Sequence, residues 1–375
     1  MLKRYLVGLA MAVTIGVGGA QAQVKIANIA ELSGAGAAAG TVWKDGVDLA
    51  VDEINASGGI LGQHIELMEY DSQTDPQNSR AMVQKAIDDG AYVLLGTVYS
   101  SSTVVNMLVA QQNGYPQLTG SEAPAITQKG NPFIFRTAFG SQKGMPKIGA
   151  YLSFGLKASK VAIVWANTEY GKGGHDAFVD VTKEFNLEIA ADLPTEQGQA
   201  DFSADVVKIK NSGADAVFAF MTEEESARFL IEAEKQGLEL PIAGDTVLGS
   251  QKVIDLAGAA AEGVMSHVGL SADAPVPTIQ AMDKKFTERF GYRPDHNAIK
   301  GYIGAYAIKY VTEMVGEFDR QKFADTMHGL CLQAKEYPGL LLDICWDQNG
   351  EVSRESFLVQ VTNGQQQIVQ TLPAN

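Results

Sequence analysis

Two α/β lobes, each a doubly wound parallel sheet, are the fold class predicted for this chain, and three observations predict it. Apolar runs of strand length alternate with amphipathic helical stretches through most of the 375 residues. The layout then repeats: VKIANIAELSG and a helix, IELMEYDS and YVLLGTVYS are echoed by VAIVWANTEYG, LEIAADLP and AVFAFMTEE. The length exceeds what one ordinary core organises, so two domains are expected. Strands separated by crossover helices imply parallel pairing with both sheet faces covered.

The elements follow in chain order. Lys3 and Arg4 precede an apolar run from Tyr5 to Gly19 and the small-residue box Ala20-Gln21-Ala22, the pattern of a signal peptide over residues 1–22, cleaved near Ala22-Gln23. The run is short for a permanent bilayer span and none like it recurs, so a soluble exported protein, free in a bacterial periplasm, is expected. No cysteine lies near the cleavage box, which argues against a lipid-modified N-terminus. Removing Lys3 and Arg4 takes the formal charge from −15 to −17 (−15 minus +2), which makes nucleic acid a poor partner.

Strands are predicted at Val24–Ala30, Ile65–Tyr70, Tyr92–Leu95, Val161–Trp165, Ala216–Phe220 and Gly263–His267. Helices are predicted at Trp43–Asn55, Asn78–Asp88, Gly173–Phe185, Phe202–Asn211, Glu224–Gln236 and Ile279–Phe290. After Tyr92–Leu95 the run breaks at Gly96, and Ser100, Ser101, Ser102 and Thr103 lead into a further helix. Two readings of that junction stay open. One is a plain serine cap; the other is an anion site, because the first N–H groups of a helix lack intrahelical partners and face the positive end of its dipole. The C-terminal portion alternates like strands, with hairpin signals at Asn349-Gly350 and Asn363-Gly364.

In doubly wound sheets ligands bind beyond the carboxyl ends of the strands. The segments at those ends are Ser33–Gly34, Thr97–Ser101, Thr119–Glu122, Asn167–Tyr170, Met221–Glu223 and Asp245–Thr246. Facing lobes would gather them in one cleft. Glu122 and Asp245 occupy equivalent loops, one per lobe, where either an ordinary solvated acid or a cleft-facing one is expected. Trp43 reads as a helix-to-sheet packing residue, with a ligand-facing aromatic as the alternative.

Catalytic motifs are missing from the sequence: there is no G-x-S-x-G elbow, no H-E-x-x-H and no P-loop. The five histidines are scattered, which argues against a metal site. SGAGAAAG, residues 33–40, approaches a dinucleotide fingerprint, yet its glycine spacing is one residue too long, and a loop permitting close backbone approach is the preferred reading. No cofactor and no enzyme activity are expected. Cys331 and Cys345 are read as a single disulfide in an oxidising compartment, the alternative being two buried thiols.

AVDEINASGGILGQHIELMEYDSQTDPQNS, GTVYSSST, APAITQKGNPFIFRT, the EYGKG turn and AGAAAEGV together resemble the leucine/isoleucine/valine-binding proteins, the type I periplasmic solute receptors of branched-chain amino acid ABC transporters. The similarity covers essentially the whole chain after residue 22. It implies a hinge-bending clamp with three crossings near Thr137–Ala138, His267–Val268 and Leu342–Asp343. Lobe 1 would then be residues 23–137 plus 268–342, and lobe 2 residues 138–267 plus 343–375.

The resemblance also implies a binding site. Ser100, with Ser101 beside it, matches the serine that holds a ligand carboxylate, and Gly120 matches a carbonyl that accepts from the ligand ammonium. Tyr170 and Thr222 match contacts from the second lobe. Glu122 stands where the branched-chain binders carry threonine, and Thr246, preceded by Asp245, stands where they carry the ammonium-binding glutamate. Tyr99 and Ser121 complete the candidate set. An acid gained at 122 and one lost at 246 lead to the expectation that Glu122 and Asp245 hold the ligand's amino group. The partners implied are a small-molecule ligand, an amino acid or related carboxylate, and an inner-membrane ABC permease, with the receptor a monomer. Amides, urea-like solutes and aromatic carboxylates are the alternative ligands, and a ligand sensor the alternative role.

Overall fold

A computed structural model describes residues 23–374. The expected signal peptide, 1–22, lies outside the described residues. The first sheet has five parallel strands: β1 (Gln23–Ala30), β2 (His64–Asp71), β3 (Val93–Leu95), β4 (Gln117–Thr119) and β5 (Ile134–Arg136). Their order is β2-β1-β3-β4-β5, with Ile26 of β1 opposite Leu67 on one side and Val93 on the other. Helices α1 (Ala37–Ala56), α2 (Pro76–Asp88) and α3 (Ser100–Gln112) make its crossovers.

The second sheet is built from β6 (Lys160–Ala166), β7 (Glu188–Thr195), β8 (Ala216–Phe220), β9 (Ile242–Gly244) and β10 (Met265–Val268), connected through α4 (Ser141–Ala150), α5 (Glu169–Glu184), α6 (Ser203–Asn211), α7 (Glu223–Lys235) and α8 (Gln251–Ala257). The chain then returns to the first lobe with α9 (Pro277–Phe290), α10 (His296–Val315) and α11 (Arg320–Met327), whose apolar residues join the core beneath β1 and β3. Strands β11 (Cys331–Leu332), β12 (Ile344–Trp346) and β13 (Val352–Ser353) form a small antiparallel sheet. The hairpin of β14 (Ser356–Thr362) and β15 (Gln365–Leu372) adds antiparallel to β10, giving the second sheet its order β15-β14-β10-β9-β8-β6-β7.

Most predicted elements are present with shifted ends, and the shifts have local causes. Helix α1 starts at Ala37, six residues before Trp43, because the alanine-rich stretch has high helix propensity without apolar periodicity. Helix α5 starts at Glu169 because Thr168 caps it, accepting from the Gly171 N–H at 3.1 Å. Strand β10 begins only at Met265, since Gly263 has a φ of +81°. At Asn363-Gly364 both residues have positive φ, as a two-residue hairpin turn of this type requires.

Cys331 and Cys345 are disulfide-bonded across the β11–β12 pair. Residues 344–353, expected on the second lobe, pair with β11 and hold β5: Trp346 Nε1 donates to the Arg136 carbonyl and the Arg136 N–H to the Gly350 carbonyl. The second sheet is entered at Ser356. No helix among the described residues is long and apolar enough to cross a membrane.

Two glycines set the position of α10. A Cβ on Gly46 of α1 would fall 2.0 Å from the Ala298 carbonyl oxygen, and one on Gly301 would fall 2.4 Å from that of Trp43. The backbones of α1 and α10 can therefore touch, which brings Lys300 beside Gly120, just after β4, and Gly304 beside Leu95 at the end of β3.

Candidate functional site

The helix start that the hydroxyl cluster signals is at Ser100, with Tyr99 as an extended N-cap that makes no side-chain cap bond. The cap reading of the serines therefore fails locally. The N–H groups of Val98 and Tyr99 donate to the Glu31 carboxylate at 3.2 and 3.3 Å, while those of Ser102 and Thr103 donate to the Tyr99 carbonyl. By helix geometry the N–H groups of Ser100 and Ser101 precede the first intrahelical bond. Behind them Thr97, Thr103, Thr119 and Ser121 form a buried hydroxyl network, with Thr103 Oγ1 2.8 Å from Thr97 Oγ1 and 2.7 Å from Ser121 Oγ.

These residues open onto a cavity between the lobes, with about 540 Å³ of space including its mouth. From the first lobe Tyr99, Ser100, Ser101, Gly120 and Glu122 line it; from the second, Tyr170 and Thr222. Ser121, Asp245 and Thr246 are buried but are not part of this wall. Ser121 Oγ donates to the carbonyls of Thr97 and Val98, and Asp245 is hydrogen-bonded to His267 Nδ1 at 2.8 Å. Thr222 reaches the wall, but its hydroxyl donates to Glu225 at 2.8 Å within a capping box. Trp43 lies beneath Gly120, fully buried, with Nε1 donating to Asn28 Oδ1 at 2.8 Å, so the packing reading describes it. A Cβ on Gly120 would fall 2.7 Å from the Trp43 ring, which explains glycine at that wall position.

Ser33–Gly34 lies away from the cavity, and its glycine-rich loop serves close approach of backbones. A Cβ on Gly40 would meet the Glu31 carbonyl oxygen at 2.1 Å, and Asp71 and Thr74 hold the loop through Leu32, Ser33 and Gly36.

Five wall residues escape the strand-end rule: His296, Asn297 and Lys300 on α10, with Gln197 and Val247 of the second lobe. The first three lie on a helix that the sequence does not tie to β3 and β4. Glu223, the last residue of the strand-end segment Met221–Glu223, is the first residue of α7 and reaches the wall. Lys300 Nζ binds Glu122 Oε1 at 2.5 Å, with both residues buried. The other carboxylate oxygen of Glu122, and both amide atoms of Asn297, have no hydrogen-bond partner. The expectation that Glu122 and Asp245 wait for a ligand ammonium therefore meets two acids already engaged within the protein, one with Lys300 and one with His267.

Burial dominates the electrostatics of the wall. It pushes the Glu122 carboxyl up, assisted by Asp245 and opposed by Lys300. It raises Glu223 to about 7 and, under the α3 start, Glu31 to about 7. Burial and the Lys300 charge hold His296 well below the ordinary imidazole range, so that ring is neutral. The phenols of Tyr99 and Tyr170 are pushed up and stay protonated, and the Tyr170 ring stacks on Phe220 at 4.3 Å. The wall thus offers N–H and hydroxyl donors, phenols, the Tyr170 ring, two acids and an amide.

Residues 23–366 match the sequence profile of the periplasmic binding protein family. The leucine-, isoleucine-, valine-, threonine- and alanine-binding protein of Pseudomonas aeruginosa is 25% identical over 337 residues, 90% of this chain and 89% of that one. Among solved structures, the branched-chain amino acid transporter substrate-binding protein of Streptococcus pneumoniae, in complex with isoleucine, matches with a TM-score of 0.85 at 23% identity, covering 94% of this chain and 99% of that one. A solute-binding protein of an ABC transporter from R. palustris, in complex with benzoate, matches with a TM-score of 0.86 at 21% identity over 94% and 97%. At these identities the structural likeness shows the fold, the two-lobed type I architecture that the resemblance implies. The chain belongs to the periplasmic binding protein family.

Proposed function

We propose that this protein is the solute receptor of an ABC importer, holding a small carboxylate-bearing ligand between its two lobes. The observation that carries the reading is the α3 start. Ser100 and Ser101 present backbone N–H groups and hydroxyls to an interlobe cavity, with the helix dipole behind them and no side-chain cap competing. An amino acid is the first candidate, because the Pseudomonas protein named above is an amino-acid-binding protein and the Streptococcus one is in complex with isoleucine. An aromatic carboxylate is the second, favoured by the Tyr170 ring at the wall, stacked on the buried Phe220, and by the benzoate complex.

Closure about the hinge shifts an open-to-closed equilibrium toward the ligand-bound form and presents a surface to a membrane permease. The crossings are read at residues 137–140, 268–270 and 354–355, where the chain leaves one sheet for the other. A periplasmic, monomeric receptor without catalytic residues is the accompanying proposal. Small-angle scattering, with the small molecule that co-purifies identified by mass spectrometry, tests it. Compaction on adding that molecule, recovered chemically intact, is expected; an unchanged profile at saturation, or turnover of the molecule, would overturn it.

A further inference from the structure

Just after strand β1 comes an acid that lies behind the cavity wall. Glu31 is fully buried, and its carboxyl oxygens accept from the Val98 and Tyr99 N–H groups at 3.2 and 3.3 Å. Those N–H groups directly precede the pair at Ser100 and Ser101, so an internal carboxyl and an incoming carboxylate would share one turn of backbone. No ion pair among the described residues includes Glu31. Asp71, at the end of β2, repels it and is itself held by the N–H groups of Leu32, Ser33 and Gln73. Helix α1 meets it with Gly40, and the cap of that helix with Gly36, neither of them charged. The Tyr99 phenol stays protonated, under the influence of Glu31 and of Glu223, Glu224 and Glu225 on α7. At the wall the Lys300 ammonium is bound to Glu122.

Two ionised carboxylates on adjacent N–H groups of a buried helix start repel each other, and a low dielectric magnifies the repulsion. The helix end offers roughly half a positive charge, which favours one anion and not two. We propose that Glu31 takes up a proton from solution when a ligand carboxylate docks on Ser100 and Ser101, so that the helix start carries one negative charge in place of two. This rests on the carboxylate-receptor reading above and adds a regulator to it, with acid favouring loading and alkali favouring release. Burial already raises the Glu31 carboxyl to about 7, against the pull of its two backbone bonds, so the proton is available near neutrality. A protonated carboxyl retains acceptor capacity for the Val98 and Tyr99 N–H groups. Linkage makes the effect reciprocal: the ligand raises the carboxyl further, and protonation tightens the ligand by the same factor.

The test is titration calorimetry of the full protein with the common L-amino acids and benzoate, at pH 6 and at pH 8. The tightest binder is expected to weaken about tenfold from pH 6 to pH 8, because the protonated fraction of Glu31 falls by about that factor across a midpoint of about 7. At pH 8, phosphate and Tris buffers, whose ionisation heats differ, should report uptake of about one proton per ligand. Glu31→Gln, neutral at both pH values, is expected to bind at either with the affinity seen at pH 6 and to take up no proton. Equal affinity at the two pH values, no proton uptake, or uptake retained in Glu31→Gln would overturn the proposal and leave the carboxylate receptor standing. Retained uptake would point instead to Glu223, whose carboxyl burial also raises to about 7. Should the variant not fold, the carbon-13 resonance of the Glu31 carboxyl in the unaltered protein decides: a titration midpoint about one pH unit or more higher with ligand supports the coupling, and an unmoved midpoint overturns it. If none of these carboxylates binds at either pH, the receptor reading and the coupling fall together.

Discussion

Arg136 and Glu351, 215 positions apart, form a fully buried ion pair at 2.9 Å that ties the floor of the site to the small disulfide-bonded sheet. Arg136 also donates to the carbonyls of Ser121 and Ala123, on either side of Glu122, and Glu351 accepts from Thr127 and Gln142 as well. The loop that carries Gly120 and Glu122 is therefore held from below. Glu351→Gln leaves the guanidinium buried without its counter-charge. It should destabilise the protein by roughly 3 kcal/mol, read as a lower urea midpoint, and weaken ligand binding through the loosened 120–123 loop.

The Glu122–Lys300 pair invites a double-mutant cycle. Lys300→Met alone leaves a buried carboxylate unpaired and should lower unfolding free energy by about 3 kcal/mol, whereas adding Glu122→Gln should restore most of that loss. Additive losses in urea titrations would show that the two groups are not coupled.

Glu31 gives the free protein a distinct pH dependence. Burial raises its carboxyl from 4.5 to about 7. The folded state therefore binds the proton more tightly than the unfolded one, and the contribution is fully present below about 4.5 and lost as pH rises through about 7. The span is about 3 kcal/mol at most. Glu223 acts in the same direction, while Glu53 and Asp71, whose carboxyls are held low, oppose it in more acid solution. Scanning calorimetry without ligand should show the melting temperature rising from pH 7.5 to pH 5, and Glu31→Gln should flatten that rise.

The seam where the lobes meet has a steric test. A Cβ on Gly173 of α5 would lie 2.7 Å from Pro124 Cδ and 3.5 Å from Ala123 Cβ. Gly173→Val should leave α5 no less stable, since glycine is the poorer helix former, while obstructing closure. Smaller ligand-induced compaction by small-angle scattering is expected, with affinity falling about tenfold per 1.4 kcal/mol of obstruction.

Much of the fold was legible because its signals are local. The hydroxyl cluster after Tyr92–Leu95 marks a helix start, Asn363-Gly364 a hairpin, and apolar periodicity the crossover helices α1, α2, α5, α6 and α7. Capping, turn conformations and one-sided burial act within a few residues of chain, and the wall residues Tyr99, Ser100, Ser101, Gly120, Glu122, Tyr170 and Thr222 sit at strand ends for that reason. The serines themselves turned out not to be caps, because the Tyr99 carbonyl and Glu31 take up the neighbouring N–H groups.

The charge pairing was decided elsewhere. Lys300 reaches Glu122 across 178 positions because Gly46 and Gly301 let α10 lie against α1, and nothing near either residue encodes that contact. The sequence by itself determined the two parallel-sheet lobes, the strand-end loops that make a cleft and the place of the α3 start within it. Only the tertiary structure decided that Glu122 is paired with Lys300 inside the protein, whereas Glu223 lines the cavity with no ion pair among the described residues. The physical reason is range: helix starts and turns are settled by backbone groups a few residues apart, whereas the state of a buried carboxylate depends on whichever charge the packing brings within a few ångströms.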